Sequence, residues 1–213
     1  TRRALRSNEI LLKELYHRTR NNMQVISSLL TLQAAKISDP RLQGVLRDID
    51  NRIRSIALIH QKLYDTGDLT RLRLDNYIEE LTMLLIRNYK ISDDRIQLDL
   101  ELDPVEVEIE TALPFGLLAN EILSNCLKYA FPAGREGTLK ITLKGIGESG
   151  MELVIADDGI GIGETGDFFS PGASLGGYLI KSITEEQLSG SVAIDNDSGT
   201  RFRIEIPLRT AAK

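Results

Sequence analysis

Two histidines and a set of amides, carboxylates and glycines carry the chemistry available to this sequence. His17 lies within His17-Arg18-Thr19-Arg20-Asn21-Asn22-Met23-Gln24, a polar tract that interrupts an apolar-striped stretch. An exposed imidazole titrates at about pH 6.5, so near neutrality much of it is uncharged and a ring nitrogen can act as a nucleophile. Asn21 follows one helical turn later on the same face, where its amide could orient a water or a phosphoryl group. The same tract also suits an ordinary surface histidine on a charged helix. His60, between Ile56 and Leu63, reads as a core or interface histidine, since a two-histidine metal site would lack a third ligand.

A second constellation is Asn120-Glu121-Ile122-Leu123-Ser124-Asn125-Cys126-Leu127-Lys128-Tyr129-Ala130. On a helix Glu121, Asn125 and Lys128 are four and three apart and share a face. Mg²⁺ prefers hard oxygen ligands and bridges phosphates, so one amide oxygen from Asn125 is a sensible protein contribution, and Lys128 would offset phosphate charge. An amphipathic helix with a polar outer face fits the pattern equally well. Asp157-Asp158-Gly159-Ile160-Gly161 places a carboxylate at a strand end beside two glycines. Such a carboxylate accepts a hydrogen bond from an exocyclic amine such as that of adenine, and Gly159 and Gly161 let backbone approach a ligand. The stretch from Gly161-Ile162-Gly163 through Gly172-Ala173-Ser174-Leu175-Gly176-Gly177 is a glycine-bearing loop that opens onto a helix, a setting that favours phosphates. It is neither a Walker loop nor a dinucleotide fingerprint.

These residues need elements to hold them. From Asn8 to Lys36 an amphipathic pattern free of Gly and Pro predicts one long helix, and Ser38-Asp39-Pro40 supplies a stop and a new start. Leu42, Leu46, Ile49, Ile53, Ile56, His60 and Leu63 then alternate spacings of four and three, a coiled-coil seam. The two helices form an antiparallel hairpin whose seam seeks a second copy, giving a four-helix bundle. The run Asp65-Thr66-Gly67-Asp68 sets a boundary near residues 65–72, dividing a hairpin of residues 1–71 from a second domain of 72–213. That domain reads as a helix at 74–88, strands at 96–102 and 105–109, and a helix from Leu113 to Tyr129. Strands at 138–144 and 151–156 follow, then a helix at 175–188 and strands at 191–195 and 201–206. The class is α+β, with helices on one face of a largely antiparallel sheet.

Composition agrees with two globular units. Hydrophobic residues are 42% and charged residues 27% of 213, and no apolar run reaches the length of a membrane span. Residues 1–70 carry 12 Lys/Arg against 7 Asp/Glu, while 71–213 carry 14 against 24, which suggests different partners for the two units. Differing solvated helix faces would give the same asymmetry. The lone Cys126 forms no internal disulfide and fits a reducing, cytoplasmic setting. Without an initiator Met, the chain is expected to be a fragment whose upstream sensory domain is absent, with no membrane insertion and no nucleic-acid partner.

Together the motifs resemble the nucleotide-binding domain shared by sensor histidine kinases, gyrase, heat-shock chaperones and mismatch-repair ATPases, a GHKL-type α/β sandwich. Asn120 to Tyr129 resembles its N box, Asp157 to Gly161 its G1 box, Gly172 to Gly177 its G2 box, and Gly199-Thr200-Arg201-Phe202 its closing G-T-x-F strand. The stretch from Lys13 to Leu30 resembles the phosphoacceptor motif of the HisKA_2 class of histidine kinases; the related HWE class has a signature Trp, and this chain has none. The resemblance implies that His17 is the phosphoacceptor, Asn125 a Mg²⁺ ligand, Asp157 the adenine-reading carboxylate and Lys128 a phosphate contact. Thr200 would support the adenine pocket, with Tyr129, Gly159, Gly161, Gly172, Ser174, Leu175 and Gly176 lining the nucleotide site. Glu121 is the candidate general base. Asp158 stands where Asn is common, adding negative charge near phosphates, Gly177 stands where an aliphatic residue is usual, and Tyr16 replaces a second His.

The implied protein is the transmitter core of a sensor histidine kinase, dimeric, using ATP and Mg²⁺ to phosphorylate His17 and passing the group to an aspartate on a response-regulator receiver domain. Rival readings are a GHKL-type ATPase or serine kinase in which the hairpin only dimerises, and a degenerate phosphotransfer scaffold.

Overall fold

The structure, a computed structural model, describes residues 2–92, 95–147, 149–162, 168–170 and 175–208, with backbone alone for 2–13, 16 and 17. Gly172 and Ser174, expected at the nucleotide site, lie outside the described residues. The chain divides into two compact units, Thr1–Leu72 and Arg73–Lys213.

The first unit is a helical hairpin of α1 (Arg2–Lys36) and α2 (Pro40–Thr66). Asp39 caps α2 by accepting the Arg41 N–H at 2.8 Å, and Pro40, having no N–H to lose, takes the first turn. Gly67 ends the helix in the left-handed conformation, its N–H reaching the Tyr64 carbonyl at 3.2 Å. Where the helices meet, the contact is partly polar: Ser27 donates its hydroxyl to the Asp50 carboxylate, which also accepts Arg54 Nε at 2.8 Å. Asn51 and Ser55 are buried beside it. The apolar stripe points elsewhere. Val25, Ile26, Leu29, Leu32, Leu42, Val45 and Ile49 are between 37% and 60% exposed, so the seam read from α2 is left uncovered in a single chain over its first half, while Leu63 near its end is buried.

The second unit follows β1 (Arg71–Arg73) and consists of α3 (Leu74–Asn88), β2 (Ile96–Leu102), β3 (Glu106–Glu108), α4 (Ile109–Asn125), β4 (Gly137–Ile146), β5 (Gly150–Asp157), α5 (Leu175–Ser182), β6 (Ser191–Asp195) and β7 (Thr200–Pro207). The main sheet has the order β2-β4-β5-β7-β6. Its pairings are antiparallel except that β2 lies parallel to β4, because the long crossover through β3 and α4 returns the chain in the same direction. Alternation, strict in β5 and β7, buries one face, including Leu139, Ile141, Leu143, Leu153, Ile155, Phe202 and Ile204. The core lies between that face and the buried sides of the helices, with Tyr77, Leu81, Phe115, Leu118 and Ile122 fully enclosed. The opposite face is ionic: Lys140 pairs with Asp99 at 2.9 Å and with Glu101.

In the second unit, helix ends differ from the sequence reading. α4 begins at Ile109 rather than near Leu113, so Pro114 lies inside it. At its other end the chain widens into a π turn over Cys126–Ala130. The helix read at 175–188 likewise runs as α5 and then a π turn over Ile183–Gln187. No helix among the described residues is long and apolar enough to cross a membrane.

Candidate functional site

Asp157 ends β5 in register with Thr200 at the start of β7, so sheet pairing alone brings the D-x-G-x-G and G-T-x-F motifs together. The carboxylate is 6% exposed, and one oxygen, Oδ1, accepts the Gly159 N–H at 3.0 Å and the Thr200 N–H at 3.2 Å. Cys126, from the π turn after α4, hydrogen-bonds to the same carboxylate. Burial first, and then the Asp157 charge, hold its thiol pKa well above the ordinary value. A buried carboxylate oriented by three donors suits recognition of an amine on a planar base, and the residues present fit an adenine ring.

The turn after Asp157 is pinned to the end of the N-box segment. Ile160 donates its N–H to the Ala130 carbonyl at 2.9 Å. A Cβ on Gly159 would collide with that same carbonyl, which explains the residue type. Asp158 is exposed: its Oδ1 accepts the Thr138 N–H at 2.8 Å, and Arg135 donates to its main-chain carbonyl at 2.8 Å. Gly177 is buried within α5.

Leading into the π turn that carries Cys126, α4 supplies Asn120, Glu121, Ser124 and Asn125. Glu121 is buried and accepts Asn120 Nδ2 through Oε1 at 3.3 Å. The α-carbon of Gly176, near the start of α5, faces Glu121 and Asn125: a Cβ there would lie 3.5 Å from Asn125 Nδ2 and 3.6 Å from Glu121 Oε2. The structure therefore joins the N-box carboxylate and amide to Gly176 from the G2 stretch. Asn120 Oδ1 and Ser124 Oγ, one turn apart, are buried with no hydrogen-bond partner among the described residues. Unsatisfied oxygens of this kind belong beside ordered water or a hydrated cation. No group of three His, Cys, Asp or Glu side chains among the described residues could hold a metal. An oxygen-preferring cation that keeps its waters and shares phosphate oxygens fits the Asn125 amide better than a protein cage.

Lys128 sits where the π turn carries it, its Nζ 5.9 Å from the centroids of both Tyr89 and Tyr129. Leu175 and Tyr129 are exposed at 65% and 62%. Sequence reasoning missed the role of Phe168, whose ring meets Phe202 edge-on at 5.6 Å and Phe169 at 5.3 Å. The adjacent aromatic pair between glycine-bearing segments was the available signal. It missed Cys126 too, which the sequence offered only as a lone thiol. His17 and Asn21 lie one turn apart on α1, where Asn21 is exposed. His60 is half-buried, and burial lowers its pKa, in keeping with a structural role.

Residues 14–89 match HisKA_2, described as Histidine kinase, and residues 110–210 match HATPase_c, described as Histidine kinase-, DNA gyrase B-, and HSP90-like ATPase. The chain is 29% identical over 210 residues to the sensor histidine kinase PdtaS of Mycobacterium tuberculosis, covering 97% of this chain and 41% of that protein. It thus spans about two fifths of that relative's length. The histidine kinase domain of the Erythrobacter litoralis EL346 blue-light activated histidine kinase superposes with a TM-score of 0.69 at 22% identity, over 95% of this chain and 94% of that one. Histidine kinase ThkA, solved in complex with response regulator protein TrrA, gives a TM-score of 0.55 at 21% identity over 98% of this chain and 64% of that one.

Proposed function

This chain belongs to the histidine kinases, and from that premise we propose that it is a transmitter core in which residues 73–213 bind ATP·Mg²⁺ and phosphorylate His17 on the hairpin. The observation that carries the reading is the Asp157 carboxylate, buried and oriented by the Gly159 and Thr200 amides beside an N-box helix, in a chain whose other unit bears the His17 motif. Phosphoryl transfer asks for positioning and charge neutralisation more than covalent chemistry. Asp157 reads the base. Asn125 holds Mg²⁺, which when bound offsets phosphate charge, and Lys128 adds a second cation. A neutral ring nitrogen of His17 forms the N–P bond as the bond from the γ-phosphorus to the ADP oxygen breaks, and Glu121 is the base for the proton the imidazole sheds.

The exposed stripe of Val25, Ile26, Leu29, Leu32, Leu42, Val45 and Ile49 supports a homodimer through a four-helix bundle, since a single hairpin leaves it in water. The acceptor of the phosphoryl group is a receiver aspartate of a response regulator, the kind of partner with which ThkA was solved. An excess of Lys/Arg over Asp/Glu in residues 1–70 suits an acidic receiver pocket.

Labelled ATP followed by acid and base treatment tests the reading. The label should be acid-labile and base-stable, and absent from His17→Gln while that variant still binds ATP. A label that survives in His17→Gln overturns the assignment, and rapid ATP hydrolysis without labelling favours an ATPase clamp.

A further inference from the structure

We propose that Asn196 is a positioning residue for nucleotide binding, acting through the backbone of Gly161 and Ile162; the proposal rests on the nucleotide reading of this site. Asn196 lies in the connection between β6 and β7. Its Oδ1 accepts the Ile162 N–H at 2.9 Å, and its Nδ2 donates to the Ile162 carbonyl. This side-chain amide therefore pairs with both polar groups of one residue, as a neighbouring strand would.

The same oxygen explains the third residue type of the G1 motif. Gly161 has φ of 73°, and Asn196 Oδ1 occupies the space that a Cβ at 161 would need. The turn from Asp157 to Ile162 is thus held at three points by three elements. Gly159 N–H returns to Asp157, Ile160 N–H goes to Ala130 after α4, and both polar groups of Ile162 go to Asn196. Four residues beyond Asn196, the Thr200 N–H holds the Asp157 carboxylate. One connection therefore grips both ends of the turn that carries the base-reading carboxylate. Asp197 N–H bonds to Asp195 Oδ1 at 3.2 Å and closes that connection on itself.

At neutral pH only a side-chain amide presents a donor and an acceptor in one plane at this reach. Aspartate would turn an oxygen toward the Ile162 carbonyl, and alanine would leave both groups to water. A turn fixed before the ligand arrives spares the ligand the cost of ordering it.

The test uses the full chain, with ATP·Mg²⁺ affinity by calorimetry and His17 phosphorylation against ATP concentration. Asn196→Ala should weaken ATP about tenfold, raising KM while the rate at saturating ATP stays close to that of the parent. Asn196→Asp should be weak at neutral pH and recover relative to the parent as the pH falls into the carboxyl range, because a protonated carboxyl regains the missing donor; this variant carries the test should Asn196→Ala not fold. Gly161→Ala should cost less affinity in the Asn196→Ala background than alone, since the colliding oxygen is gone. Parent-like affinity in Asn196→Ala, no pH recovery in Asn196→Asp, or losses that simply multiply in the double variant would overturn the role. Failure of the unaltered chain to bind ATP would instead overturn the nucleotide reading beneath it.

Discussion

Ile160 and Ala130, thirty positions apart, are joined by a backbone hydrogen bond of 2.9 Å that ties the D-x-G-x-G turn to the end of the N-box segment. The two motifs are therefore one mechanical unit, and a strain introduced at their junction should be felt at the nucleotide.

Gly159→Ala is such a strain. The added Cβ would meet the Ala130 carbonyl and side chain, so overpacking of about 1–3 kcal/mol is expected, together with weakened ATP binding. Thermal melts with and without ATP check this. A variant as stable as the parent, with the same affinity, would show that the turn yields without consequence.

Asp157→Asn and Asn125→Ala should fail differently. The first removes the buried charge that orients the base, so ATP affinity falls by more than about tenfold whether or not Mg²⁺ is present. The second should leave Mg²⁺-free binding close to the parent and abolish the gain that Mg²⁺ brings. Titrations with ATP plus either Mg²⁺ or a chelator separate the two.

Stability should peak between mildly acid and mildly alkaline pH. The Cys126 thiol has a raised pKa in the folded protein, so its stabilisation is complete below the ordinary thiol value of about 8.5 and is lost as the pH climbs toward the folded value. His60 has a lowered pKa, so its contribution is present above about pH 6.5 and is lost as the pH falls through the folded value. In melts across this range, Cys126→Ala should flatten the alkaline slope and His60→Gln the acid one.

Residues 73–213 alone should fold and bind ATP·Mg²⁺ with slow hydrolysis. Mixed with a separate fragment of residues 1–72, they should phosphorylate His17 in trans, more weakly than the intact chain because the tether's effective concentration, about millimolar, is gone. Silence from two folded fragments would show that the units need more than proximity.

Much of this was legible because strands announce their buried face. The alternation of Thr200 to Pro207 is followed residue by residue in its burial, and the β5–β7 register then delivers Asp157 to Thr200. The nucleotide motifs were readable for the same reason: they lie at the ends of such elements. The start of α4 was not. Pro114 reads as a first-turn residue, whereas helix geometry from Ile109 to Leu113 is favoured by burying Ala112 and Phe115 in the core. The alternation of residues 105–109, which reads as a full strand, forms one only over Glu106–Glu108, since Ile109 already belongs to that helix. The π turn at Cys126–Ala130 left no trace in the periodicity, because its five residues are too few to shift a pattern. Asn196 was invisible because a side chain that pairs with backbone needs no motif in the segment it holds.

The anchoring of Asp157 also bears on how this site tolerates sequence change. Two of its three donors are main-chain amides, at Gly159 and Thr200, and no exchange of side chain deletes a main-chain N–H except one to proline. The proposed base recognition is thereby insulated from most drift at its own supporting positions. The third donor, the Cys126 thiol, is the one such drift can remove. Among descendants of this sequence, position 126, being buried, should exchange only for residues of similar volume, while proline at 159 or 200 should mark lineages that have abandoned the nucleotide.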